Sequence, residues 1–312
     1  VKTYILKRLG QLVIVLLGVS FLTFFVTTLA PSDAAEMKYL SMGTTPTEEL
    51  LEATRDEMGL NQPFLMRYLS WLGNVLQGDF GSSYKFGDSV FDQMSKKLPG
   101  TLKLAGTSMV VMFLIAFPLG ITAAVKKNKF VDYLIRFFSF MGISMPNFWL
   151  ALILIYVMSV KLGWFKVVST DNLKGLILPV ITLTIPMVST YVRHIRGAVL
   201  GELTQEYVVG ARARGISEKQ ILIFHVIPNA MLTLVTLIGL SVGHLLGGAA
   251  IVETIFSWHG IGSMVVEAIA VRDYPLIQGY VVWMAIIFVT VNLIVDICYH
   301  LLDPQIRMKG RI

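Results

Sequence analysis

Residues 199–229 concentrate the chain's polar chemistry. Arg212, Arg214 and Lys219 offer cations, Glu218 an anion, and Ala211 and Ala213 a small apolar face. Gly215 marks a turn. Ser217 and Gln220 have the spacing of a reciprocal helix cap, and Pro228 is placed to end a second short helix before the next apolar run. Two short amphipathic helices joined at Gly215 form either a lever that a partner can grip or an interfacial pair resting on lipid headgroups. A second focus is Gly243-His244-Leu245-Leu246-Gly247-Gly248, mid-way along an apolar run. An ionisable residue at that depth marks a functional site, and the glycines let helices approach or leave room for cargo. His244 reads as lining a pathway, or as a neutral imidazole bonded to a neighbouring helix; metal ligation would need further ligands. His194 and His225 read as solvated, Glu253 and Asp296 as structural partners between helices. The sequence holds no His-Glu-x-x-His and no phosphate-binding Gly-x-x-x-x-Gly-Lys-Ser/Thr, so neither that zinc-dependent hydrolysis nor nucleotide hydrolysis is expected of this chain. Its one cysteine, Cys298, permits no internal disulfide.

The elements that must position these residues are membrane helices. Of 312 residues, 55% are hydrophobic and only 15% charged, against roughly 25% charged in soluble domains. The net charge of +6 does not point to nucleic acid, because the basic residues cluster between long apolar runs, as membrane orientation requires. A bilayer core of about 30 Å takes about 20 helical residues. Six runs qualify: 9–30, 102–125, 134–160, 176–195, 230–255 and 276–302. The first outruns a signal-peptide core of roughly 7–15 residues and reads as a retained anchor. Lys2, Lys7 and Arg8, then Lys126, Lys127, Lys129 and Arg136, then Arg193, Arg196, Arg212, Arg214 and Lys219, and finally Arg307, Lys309 and Arg311 fall on one side. The short segments opposite carry only Lys161, Lys166, Lys174 and Arg272. Both termini are therefore expected in the cytoplasm. Residues 31–100 are then an external cap, with a helix start at Thr47 backed by acids in the first turn and a turn around Asp79-Phe80 between Gly78 and Gly81. Prolines 118, 146, 179 and 186 inside the runs are expected to make kinks.

The loop spacing resembles the cytoplasmic signature of binding-protein-dependent ABC permeases: Glu-Ala-Ala, three residues, Gly, nine residues, Ile, any residue, Leu-Pro. This chain has Val209-Gly210-Ala211, Arg212-Ala213-Arg214, Gly215 and, nine residues later, His225-Val226-Ile227-Pro228. Gly and Pro match in place. The missing Glu and first Ala, and His225 in place of Ile, are departures familiar from the peptide and nickel branch, whose loops look like Ala211 to Gly215 and Pro228-Asn229-Ala230. The likeness continues through Gly59-Leu60-Asn61-Gln62-Pro63, Gly78-Asp79-Phe80-Gly81, Ser144-Met145-Pro146-Asn147, Gly260-Ile261-Gly262, Arg272-Asp273-Tyr274-Pro275 and Leu302-Asp303-Pro304. Trp258-His259-Gly260 and Gln305 depart from the family's usual Pro-Gly turn and Asp-Pro-Arg ending.

The resemblance implies an all-α polytopic membrane protein with six transmembrane helices, a type I ABC importer-like transmembrane domain forming one unit over 1–312. It implies a heterodimer with a second permease, two ATPase subunits each gripping one loop helix, and an external substrate-binding protein. The pathway would carry nickel complexes or short peptides across a bacterial cell membrane. No cofactor is expected on this chain; ATP and Mg belong to the partner subunits. Ala211, Arg212, Ala213, Arg214, Gly215, Pro228 and Asn229 would couple to the ATPase, and Gly243, His244 and Gly247 would line the pathway. Residues 45–63 and 144–150 look slightly more like nickel than peptide permeases. The rivals are a secondary transporter, which would show an internal repeat and midplane charges, and a membrane-embedded enzyme, which would need a paired acid, His cluster or nucleophile in the bundle.

Overall fold

The computed structural model describes residues 2–30, 34–41, 43–169 and 172–302, and for 2–7, 9, 41, 232, 233, 235, 236, 240, 244, 248 and 298–302 the backbone alone. The expectations placed on Pro31, on the Asp303-Pro304-Gln305 ending, on Arg307, Lys309 and Arg311, and on the side chains of His244 and Cys298 lie outside the described residues. Among those described, the chain is helical, with one isolated bridge between Ser82 and Ser89. In order come α1 (Lys2–Thr28), α2 (Ala34–Ser41), α3 (Glu48–Glu57), α4 (Phe64–Leu76), α5 (Val90–Val125), α6 (Phe130–Ser144), α7 (Asn147–Leu154, continued by a π turn Ile155–Lys161), α8 (Leu173–Leu203), α9 (Glu206–Ala213), α10 (Glu218–Ile221, continued by a π turn Leu222–Val226), α11 (Ile227–Ile255), α12 (Ile261–Ala270) and α13 (Tyr274–Leu302).

Among the described residues, five helices, in α1, α5, α8, α11 and α13, are long and apolar enough to cross a membrane, and α6 with α7 makes a sixth span if the bent pair is counted as one. The third run is thus not a single kinked helix: it breaks by 100° between Ser144 and Asn147. Met145 is extended at ψ 119° and Pro146 sits before the first turn of α7, because a proline ring clashes with a helical residue ahead of it. Pro118, Pro179 and Pro186 instead lie inside continuous helices. At Pro179, the missing N–H frees the Gly175 carbonyl, and the Ser169 hydroxyl donates to it at 2.9 Å. The helix start expected at Thr47 is present, with Glu48 and Glu49 in the first turn. Gly78 and Gly81 both adopt positive φ around Asp79-Phe80, whose carboxylate takes the Gly81 N–H at 2.8 Å.

The chain forms two compact units. The first comprises Val1–Thr101 and His259–Thr290. Its core is Phe80, Val90, Met94, Ile261, Met264 and Leu276. Asp273 is buried there and accepts the Ser83 hydroxyl and the Lys85 N–H. Phe21 and Phe24 of α1 meet Phe64 and Tyr68 of α4 ring to ring at 5.3–5.7 Å.

The second unit comprises Leu102–Trp258 and Val291–Ile312 and is built around α8. More than half of the most apolar stretch of α8 is buried, 56% against 33% in α5 and 47% in α11, so α8 is the most enclosed of the three. It packs on α6, α7 and α11. Gly120 and Gly142 make the close approaches possible: a Cβ on Gly120 would lie 2.6 Å from Ile195, and one on Gly142 would overlap the Ser189 hydroxyl.

Candidate functional site

The loop after α8 folds as a hairpin of short helices. Val208, Ala211, Ile221, Val226 and Ala230 are buried in the same core as Ile195 and Val199. Packing on this side leaves Arg212, Ala213, Arg214 and Gly215 exposed. Gly215 has φ +79°, a conformation that costs a residue with a side chain roughly 1–2 kcal/mol. The expected box is present: the Ser217 hydroxyl takes the Gln220 N–H, and the Gln220 side chain takes the Ser217 N–H. Arg212 reaches across the turn to Glu218 as a fork, Nε to Oε1 at 2.7 Å and Nη2 to Oε2 at 3.1 Å. That hydrogen bond raises the Arg212 pKa and holds the Glu218 carboxyl below its ordinary range. Tyr207 donates to Glu202 at 2.6 Å. Burial pushes its phenol up, and hydrogen bonding to the Asn229 side chain opposes this. Asn229 thus helps close the loop at its base.

Pro228 does not end the second short helix. The backbone is helical from Glu218 through Ile255, with Pro228 in the first turn of α11. A proline in a helix lacks an N–H and crowds the carbonyl four residues back. The π turn Leu222–Val226 widens the helix just ahead of it, and the Ile227 N–H bonds the Leu222 carbonyl.

A cavity of about 420 Å3 opens beside the middle of α11 in this same unit. Leu237, Ser241 and Leu245 recur every four residues and present one face of α11 to it. α8 contributes Leu183, Pro186, Met187, Thr190, Tyr191 and His194, and the broken span contributes Ile143 and Asn147. The wall is tied by Tyr191, whose hydroxyl donates to the Leu237 carbonyl at 2.7 Å and also meets the Ser241 hydroxyl. Thr190 donates to the Pro186 carbonyl at 3.0 Å. His194, read from sequence as a solvated residue, is exposed and also lines this cavity. His244 stands one heptad after Leu237 on α11, so its backbone lies on nearly the same side of that helix. Gly243 is half-buried; Gly247 is exposed, with open space where its Cβ would be.

Between the loop and the cavity, Arg196 of α8 grips Asp132 of α6, Nε to Oδ1 at 2.7 Å and Nη2 to Oδ2 at 2.8 Å. Asp132 is fully buried and also accepts the Asn128 N–H at 2.9 Å. Asn128 has φ 62°, a conformation asparagine tolerates. Sequence reasoning gave Arg196 an orienting role and passed over Asp132, since nothing local signals a pair 64 residues apart.

Two family models, described as binding-protein-dependent transport system inner membrane component and its N-terminal companion, match residues 116–308 and 1–105. The chain belongs to this family. It is 37% identical over 315 residues to the oligopeptide transport system permease protein AppB of Bacillus subtilis, covering 97% of this chain and 99% of that one. It is 37% identical over 306 residues to the glutathione transport system permease protein GsiC of Escherichia coli K12, covering 98% and 99%. Among solved structures it resembles the MetNI methionine ABC transporter in inward-facing conformations, with TM-score 0.54 and 18% identity over 67% of this chain and 96% of that one. That likeness bears on the fold, and agrees with the type I importer transmembrane architecture expected from the sequence. The permease is therefore a multi-pass membrane subunit of an ABC importer and not an enzyme; separate ATPase subunits hydrolyse ATP. Both the secondary-transporter and the embedded-enzyme readings fall with that assignment. Of the residues singled out in the permease sequence, Arg212, Ala213, Arg214 and Gly215 share one exposed turn, while Ala211 belongs to the core and Asn229 to the loop base.

Proposed function

We propose that this permease pairs with a second, related permease to carry short peptides inward, with two ATPase subunits below and an external binding protein above. The observation that carries the reading is identity of 37% along nearly the whole chain to permeases named for oligopeptides and glutathione. That likeness favours peptide over nickel, against the slight nickel flavour of residues 45–63 and 144–150. Both termini and the 199–229 loop lie in the cytoplasm in this scheme, and 31–100 forms the external cap. The exposed turn from Arg212 to Gly215 is what an ATPase cleft receives, with Ala211, Pro228 and Asn229 holding it rigid from behind. A turn held by a fork, a capping box and a buried apolar face transmits a push without bending. Gly243, His244 and Gly247 belong to the pathway, and ATP with Mg stays on the partner subunits.

The test is uptake of a labelled short peptide and of labelled nickel in cells with and without this chain. Loss of peptide uptake alone is expected. Loss of nickel uptake alone overturns the cargo assignment. If neither changes, the cargo is of another class, and stoichiometric co-purification of ATPase subunits then decides whether the assembly stands.

A further inference from the structure

We propose that the cavity between α7, α8 and α11 holds the passing peptide by its main-chain amides, with Asn147 and His194 as the polar contacts. The proposal rests on the peptide-import reading above. The cavity's volume of about 420 Å3 falls within the roughly 300–1,000 Å3 of small-molecule sites, and such sites combine an apolar wall with a few placed polar groups. Here the apolar wall is Ile143, Leu183, Met187, Leu237 and Leu245.

The polar groups divide into two kinds. Thr190 donates its proton to the Pro186 carbonyl, and the Tyr191 and Ser241 hydroxyls are engaged with each other and with the Leu237 carbonyl. Those three hold the wall together. Asn147 and His194 form no side-chain hydrogen bond with any other described residue, yet both line the space. An amide side chain donates and accepts, and so does a neutral imidazole. That pairing complements a peptide's N–H and C=O groups, which every short peptide carries whatever its side chains. Among the described residues, no Asp, Glu, Lys or Arg lines the cavity, so none of these selects for side-chain charge, as a carrier fed by an external binding protein requires.

The fold explains why Asn147 is available. It opens α7 at the 100° break, and interrupted helix at membrane depth is tolerated where it lines a cavity or is packed in protein. A lipid chain would suit the apolar wall but would offer neither polar group a hydrogen-bond partner.

The test uses the whole complex in proteoliposomes, with labelled peptide and loaded binding protein. Asn147→Leu and His194→Leu are each expected to lower peptide uptake per ATP hydrolysed about threefold to tenfold, the loss of one net hydrogen bond. ATP hydrolysis stimulated by loaded binding protein should persist, and His194→Gln should restore most of the uptake. In a Cys298→Ser background, His194→Cys or Asn147→Cys should be labelled by a peptide bearing a thiol-reactive group only during turnover, and excess plain peptide should block it. Ile14→Cys, on the exposed face of α1, should stay unlabelled. Labelling of the cavity cysteines and of Ile14→Cys alike, with no block by plain peptide, would mean non-specific access from the bilayer, and the proposal fails. Should wild type import peptide and the leucine variants match it, the cavity assignment alone falls; should wild type import none, the cargo reading falls first.

Discussion

Asp132→Ala removes a carboxylate that is fully buried and bonded three ways: twice to Arg196 at 2.7 and 2.8 Å and once to the Asn128 N–H. Breaking a buried pair by deleting one partner costs about 3–5 kcal/mol, because the surviving charge stays desolvated. Arg196 keeps 19% of its side chain exposed and can swing its head toward water, which sets Asp132→Ala near the low end, about 3 kcal/mol. Arg196→Met leaves the carboxylate with no exposure and only the Asn128 N–H, which sets it near the high end, about 5 kcal/mol. With both replaced, neither charge is stranded. The double variant should therefore lose at least about 2 kcal/mol less than the sum of the singles, within the range seen for directly contacting residues. The assay is equilibrium unfolding of the purified permease in mixed micelles, followed by helical signal, for wild type, both singles and the double. Additivity within about 0.5 kcal/mol, or a cost for Asp132→Ala below about 1 kcal/mol as in a surface pair, would refute the clamp.

Gly142→Ala should push α6 from α8 at Ser189 and destabilise the second unit by about 1–3 kcal/mol, and Ser189→Gly should relieve it in the same unfolding assay. Gly215→Ala strains a left-handed turn by about 1 kcal/mol; faster amide exchange over residues 210–220 and less transport per ATP are the expected readouts. Arg212→Ala should return the Glu218 carboxyl upward to the ordinary glutamate range, read by carbon-detected NMR titration. Because Glu218 is held low in the folded loop, the fork's contribution is present above the ordinary glutamate pKa. It disappears as pH falls through the lowered value, so loop protection should be flat from pH 7 to about 5.5 and weaken only in stronger acid.

The local features were legible because they depend on neighbours in sequence. A capping box needs four residues, and Ser217 with Gln220 formed as read. Apolar length alone locates spans, and all six runs are helical over most of their length, though α5 and α8 extend beyond the apolar windows into polar flanks. What failed to read was anything decided across the fold. Pro146 and Pro179 look alike in a string, but Ser169 reaches back to repair the carbonyl freed by Pro179, while the chain before Pro146 turns away. Pro228 looked like a stop because the π turn that accommodates it leaves no mark in residue type. His194 is exposed, as its basic neighbours suggest, but only the fold shows that it also borders a cavity.

By itself, then, the sequence determined that this chain is a bundle of membrane helices with a two-part loop of family spacing. Hydrophobic length, glycine φ and capping are properties of short segments, written in order along the chain. Only the tertiary structure decided that the third span breaks, that Asp132 and Arg196 share a buried fork, and that Asn147 and His194 meet one space. Those depend on side chains brought together from helices far apart in sequence, where burial, not spacing, sets which polar groups are bonded and which remain open.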